Sequence, residues 1–142
     1  MRAISRLLLL IWPLLMALPA ASQDAPPAEA QAIHDVIQSQ LDAFQRDDAA
    51  TAYSFAAPSI KQMFTTPEIF MEMVKTGYQP VYRPREVQFR DLKVENGALL
   101  QDVFLVGPDG KPVIARYSME KQPDGSWRIN GCWFVKAPDQ NV

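Results

Sequence analysis

Two periodicities divide the chain near Tyr78. Before it, apolar residues return every three or four positions: Ile33, Val36, Ile37, Leu41 and Phe44. That spacing predicts an amphipathic helix from about Glu29 to Arg46. Asp48 can cap a second helix, Ala49 to Ala57, which stops before Pro58. Ser59 to Phe64 reads as one more short turn. Thr65, Thr66, Pro67 and Glu68 supply a hydroxyl cap, a first-turn proline and an early carboxylate. Ile69, Phe70, Met73 and Val74 then share one helix face, and Gly77 ends it.

After Tyr78 the period is two. Val87 and Phe89 share a strand face, while Leu92 and Val94 fall on the opposite parity, which predicts a bulge near Arg90 and Asp91. Asn96 and Gly97 are a turn signal. Leu99 to Val106 reads as a strand, and Gly107, Pro108, Asp109 and Gly110 close a hairpin. Val113, Ala115, Tyr117 and Met119 alternate along the next strand. Pro123, Asp124 and Gly125 turn the chain again, and Trp127, Ile129, Gly131, Trp133 and Val135 alternate along the last. Helices followed by a four-strand meander make an α+β domain. The economical packing curls the antiparallel sheet around the long first helix, cone-like, and leaves a concavity.

The N-terminus follows neither period. Arg2 and Arg6 precede an apolar run from Leu7 to Leu18, and small residues lead to Ser22. This is the pattern of a secretory signal peptide cut after Ser22. The run is shorter than the roughly 20 apolar residues of a membrane span. The expected layout is a signal peptide at 1–22, a polar linker at 23–29, one domain at 30–136 and a tail at 137–142. The mature protein is expected in the periplasm or outside the cell, with no membrane segment after cleavage.

Composition narrows the function classes. The chain has 142 residues, with 14 Lys and Arg against 16 Asp and Glu, one His and one Cys. That is too short for a dinucleotide enzyme with a second domain or for a full barrel enzyme. One cysteine excludes an internal disulfide and a thiolate zinc site. A pI near 5.3 argues against nucleic-acid binding. The signal peptide holds two of the basic residues, Arg2 and Arg6, so the mature chain is more acidic still. No phosphate-cradling glycine loop, nucleophile elbow or metal-ligand spacing is present, and no cofactor is expected.

A few side chains stand out. His34 lies at the edge of the apolar stripe and reads as a half-exposed bystander. Gln40 lies inside the stripe, between Ile37 and Phe44. A buried amide without partners costs about 1–3 kcal/mol, so backbone, water or ligand must bond it. Asp47 reads as a cap or a solvent contact. Cys132 reads as a small buried apolar group, with Arg128 and Asn130 on its strand face as the route to a reactive thiol. The stretch from Tyr78 through Pro80, Tyr82, Arg83 and Pro84 to Arg85 reads as stiff and extended. Its tyrosines and arginines are placed either to hold an anionic or aromatic ligand or to pack the helix–sheet seam. Tyr53, Phe55, Tyr117, Trp127 and Trp133 read as core aromatics.

Several strings carry a resemblance. They are Ile37-x-x-Gln40-Leu41-x-Ala43-Phe44, Phe55-Ala56-x-Pro58, Phe64-x-Thr66-Pro67-Glu68-x-Phe70-x-x-Met73-Val74-x-x-Gly77-Tyr78, Val81-x-Arg83-Pro84 and Gly125-x-Trp127-Arg128-Ile129-x-Gly131. Together they resemble a family of exported proteobacterial proteins known as domain of unknown function 4864. The resemblance implies no established activity, cofactor or catalytic residue. The element order also resembles the nuclear transport factor 2-like (cystatin-like) superfold, which implies helices packed in a curled sheet and a hollow between them.

Two functions fit. One is a non-catalytic envelope module that binds a small apolar or anionic ligand, or another envelope protein, with Gln40, Tyr78, Tyr82 and Arg83 as the binding residues. The other is a lyase or isomerase with a pocket carboxylate, Asp102, as base and Tyr53 or Tyr117 as oxyanion donor. It requires the Asp102 face of the strand to point inward. A homodimer through the open sheet face is a third arrangement, and it requires exposed apolar area there.

Overall fold

The computed structural model describes residues 27–137. The predicted signal peptide, most of the linker and the end of the tail lie outside the described residues. Among the described residues five helices precede four strands: α1 (Pro27–Gln45), α2 (Ala49–Ser54), α3 (Pro58–Met63), α4 (Pro67–Gly77), α5 (Gln79–Tyr82), β1 (Glu86–Glu95), β2 (Ala98–Val106), β3 (Pro112–Lys121) and β4 (Trp127–Val135). The strands form one antiparallel sheet in chain order. The sheet is curled and unclosed, and the α+β meander expected from the two periodicities is the fold.

Local chemistry accounts for most boundaries. The Asp48 side chain accepts from the Thr51 amide at 3.1 Å and starts α2. Thr66 Oγ1 accepts from the Ile69 amide at 3.2 Å and starts α4, with Pro67 just inside. Asn96 and Gly97 have φ of 50° and 78°, the left-handed pair that a two-residue hairpin needs. The predicted bulge in β1 is present: the register to β2 shifts between Phe89 and Leu92. The carbonyl of Arg90 at that bulge accepts from Gln101 Nε2 at 2.8 Å. This explains a buried amide that the alternation alone did not single out.

The core lies between α1 and the concave sheet face. Ile33, Ile37, Leu41 and Phe44 are fully buried against Val103, Leu105, Ala115, Tyr117, Met119 and Ile129. Burying each large apolar side chain is worth roughly 1.5–3 kcal/mol.

Three readings are corrected. First, α2 ends at Ser54 and does not run to Ala57. Residues 55–57 leave the helix to pair with the edge strand β4. Ile129 N donates to Phe55 O, and Ala57 N donates to Ile129 O, both at 2.8 Å. The edge groups of β4 gain partners that a longer helix would have left unpaired. Second, Gln79–Tyr82 is a helical turn, not an extended connector. Pro80 falls in its first turn, where a missing N–H costs nothing. Third, β4 contains a bulge. Ser118 pairs with Gly131, but Met119 pairs with Ile129, so Asn130 has no partner. Side chains beyond Asn130 therefore change faces. Cys132 turns inward opposite Tyr117, and Trp133 turns outward opposite Arg116, where it is 42% exposed and not core.

Candidate ligand-binding site

The bulge and the short helices together shape a hollow. Its floor is Gln40 and Phe44 from α1, with Tyr117 from β3 and Ile129 from β4. One side wall is Phe70, Met73 and Val74 of α4, with Tyr78 and Val81 around α5. Ile60, Met63 and Phe64 from α3 and its end stand at the rim, and Met63 is 70% exposed. Gly131 and Cys132 complete the β4 side. The cavity holds about 220 Å³.

Gln40 sits where the helix phase puts it, 4% exposed. Its Nε2 donates to the carbonyl of Ala52 at 3.0 Å and ties α1 to α2 while the side chain still lines the cavity. The Tyr78 hydroxyl donates to the carbonyl of Cys132 at 3.0 Å and joins the helical wall to β4. Tyr117 is 1% exposed, and its hydroxyl has no hydrogen-bond partner among the described residues. The group across the strand pair from it is Cys132. Burial pushes the Cys132 thiol up to about 12. Burial, reinforced by the neighbouring thiol, also holds the Tyr117 phenol well above its ordinary value. Both groups are therefore neutral at any physiological pH, and Cys132 lacks the thiolate that a reactive cysteine needs.

Tyr82 and Arg83 are elsewhere. The Tyr82 hydroxyl donates to Asp47 Oδ1, and Arg83 Nη2 donates to Asp47 Oδ2 at 3.1 Å. Arg83 also donates to the carbonyl of Phe44, and its guanidinium stacks 3.9 Å from the Tyr82 ring centroid. A cation on the last carbonyls of α1 is favourable there. The pair clasps the end of α1 to the connector and does not line the hollow. Asp47 joins them at φ of 52°, beyond the helix, as an ion-pair partner and not a cap.

Of the proposed acid–base set, Asp102 is on the wrong face. It alternates with the core residues Val103 and Gln101, so it points away from the helices. Arg116 grips both its oxygens, at 2.7 and 2.9 Å. The Tyr53 hydroxyl donates to the carbonyl of Phe64 at 2.7 Å and so secures α3, outside the cavity. Only Tyr117 of the three reaches the hollow. His34 is a side-chain neighbour of Phe89, with ring centroids 3.9 Å apart. Among the described residues no carboxylate, imidazole, lysine or arginine lines the cavity, and no cluster of acidic, histidine and cysteine side chains could hold a metal ion. Sequence reasoning missed the rim residues Ile60, Met63 and Phe64 and the wall residue Met73, and it missed Cys132 as a lining residue.

These features define a class: an α+β domain whose helices cover a curled four-stranded sheet and leave an apolar hollow, consistent with the nuclear transport factor 2-like description. The chain belongs to the family described as Domain of unknown function (DUF4864), whose model matches residues 27–142. No curated protein and no solved structure matches the chain.

Proposed function

We propose that this protein is an exported, non-catalytic module that binds one small apolar ligand in the hollow floored by α1. The observation that carries the reading is an apolar cavity of about 220 Å³ lined from α1, α3, α4, β3 and β4 without a charged side chain among the described residues. Concave apolar sites with a few polar groups are the usual form of small-molecule sites. This one is below the ~300–1,000 Å³ typical of drug-sized ligands, so its occupant is small or is one end of a longer chain. An anionic ligand has less support, because Arg83 is engaged with Asp47 and Phe44. A lyase or isomerase has less support too. Such chemistry needs a base within hydrogen-bond reach of the substrate, and Asp102 stands on the opposite sheet face. Export rests on the pattern of residues 1–22.

Native mass spectrometry of the protein isolated from its own envelope fraction tests both halves. The expected polypeptide mass is that of residues 23–142, with a 1:1 small-molecule increment that is lost when Ala56, which also lines the cavity, is enlarged in an Ala56→Leu variant. A full-length polypeptide contradicts export. An increment retained when the larger side chain intrudes on the cavity contradicts this site.

A further inference from the structure

We propose that the hollow takes the hydrocarbon end of a single-chain amphiphile and leaves its polar head outside, beyond a lip formed by Met63 and Ile69. The inference rests on the binding reading above and specifies its ligand class. The polar groups of the wall are engaged within the protein. Gln40 Nε2 donates to the carbonyl of Ala52, and the Tyr78 hydroxyl donates to that of Cys132. The Tyr117 hydroxyl is buried beside the Cys132 thiol, out of a ligand's reach. Among the described residues no charged side chain lines the hollow. A head group placed inside would give up its hydration for a wall with no charge to offset the loss. The part of the ligand that enters is therefore hydrocarbon.

The apolar surface also continues past the mouth. Met63 and Ile69 stand on either side of the corner between α3 and α4, and both are exposed large apolar side chains. Met63 lines the hollow and is 70% exposed. Ile69 is outside the hollow and 51% exposed. It lies one turn before the lining residue Met73 on α4, so the two share a flank of that helix. Phe64 and Phe70 hold the corner together, with ring centroids 6.2 Å apart. A compact ligand wholly inside would leave this lip in water. A chain that fills the hollow and runs out over the lip covers it. The unbranched Met63 and Met73 side chains can adapt to the chain's bends. Size agrees: a cavity of ~150 Å³ takes up the six carbons of benzene. On that scale about 220 Å³ takes roughly nine carbons of a chain.

Hexyl, octyl, decyl and dodecyl glucosides, titrated by calorimetry below their micelle concentrations into wild type and Ile69→Gln, test this. The glucose head is uncharged and too bulky to follow the chain inside, so binding requires that it stay out. Affinity for wild type is expected to rise about fourfold per methylene from hexyl to octyl. It is expected to go on rising about twofold per methylene to dodecyl, as the chain covers the half-open lip. Ile69→Gln is expected to weaken dodecyl glucoside about fivefold and to leave hexyl glucoside within about twofold. Octanol binding without any glucoside binding puts the head inside and overturns this inference alone. So does an affinity that stops rising beyond octyl, or an Ile69→Gln variant that treats hexyl and dodecyl glucosides as wild type does. If neither octanol nor any glucoside binds, the cavity reading falls with it. Should the variant fail to fold, the chain-length series on wild type still decides.

Discussion

At the scale of single residues, burial and pairing decide what each polar side chain does. Gln40 was legible because a 3.6-residue period fixes which way an α1 side chain points, and the cost of an orphaned amide demanded a partner. Which partner could not be read, since Ala52 meets Gln40 only through the packing of α2 on α1. Tyr117 was legible as a core aromatic but not as an unpaired donor, because pairing depends on the opposite strand. Asp102 was undecidable from alternation: both parities of β2 carry apolar residues. Its actual neighbour, the Arg116 guanidinium, holds its carboxyl below the ordinary 3.8. A depressed carboxyl stabilises the fold above its unfolded value, and that contribution is lost as pH falls through the folded one. Asp102→Asn should therefore cost about 1–2 kcal/mol at pH 7, between the values for exposed and buried pairs. The gap from wild type should close as pH drops below 3.8 in denaturant titrations. An equal gap at pH 3 and pH 7 would show that the ion pair adds nothing.

At the scale of elements, the two bulges illustrate what a pattern can and cannot reveal. In β1 the apolar residues themselves change parity, from Val87 and Phe89 to Leu92 and Val94, so the kink is visible. In β4 the residues after the bulge are apolar on both parities: Trp133 and Val135 on one, Cys132 and Phe134 on the other. Nothing in the spacing marks Asn130, and the alternation reads straight through it. The bulge is nevertheless what brings Cys132 and Phe134 to the core side and sends Trp133 out. Deleting Asn130 should remove the bulge and leave Ile129 opposite Met119 and Gly131 opposite Ser118, so every later side chain keeps its face. The expected cost is below about 2 kcal/mol, since no core side chain is lost. Chemical denaturation should show this, with the emission of Trp133 unchanged. A loss of about 3–5 kcal/mol together with a blue-shifted Trp133 would contradict Asn130 as the extra residue. The helical turn Gln79–Tyr82 was missed for a related reason. A proline inside a short segment reads as a breaker, yet at the first position of a helix it is compatible.

At the scale of the whole molecule, the order of elements and the sizes of their apolar faces were enough to foresee helices set in a curled sheet. The hollow was foreseeable only as a consequence of curvature. Its rim was not, because α3 and α4 meet through contacts such as Tyr53 with Phe70 and with the carbonyl of Phe64. The clasp formed by Tyr82, Arg83 and Asp47 fixes the end of α1 over the sheet and so holds the floor of the hollow in place. Two-dimensional NMR of the isotope-labelled protein, titrated with octyl glucoside, tests the central claim most directly. Saturable shifts should appear together at Gln40, Val74, Tyr78, Ile129 and Cys132, contributed by α1, α4, the connector and β4. Shifts confined to Trp133, Arg116 and the outer sheet face, or no saturable shift at all, would contradict a ligand-binding hollow.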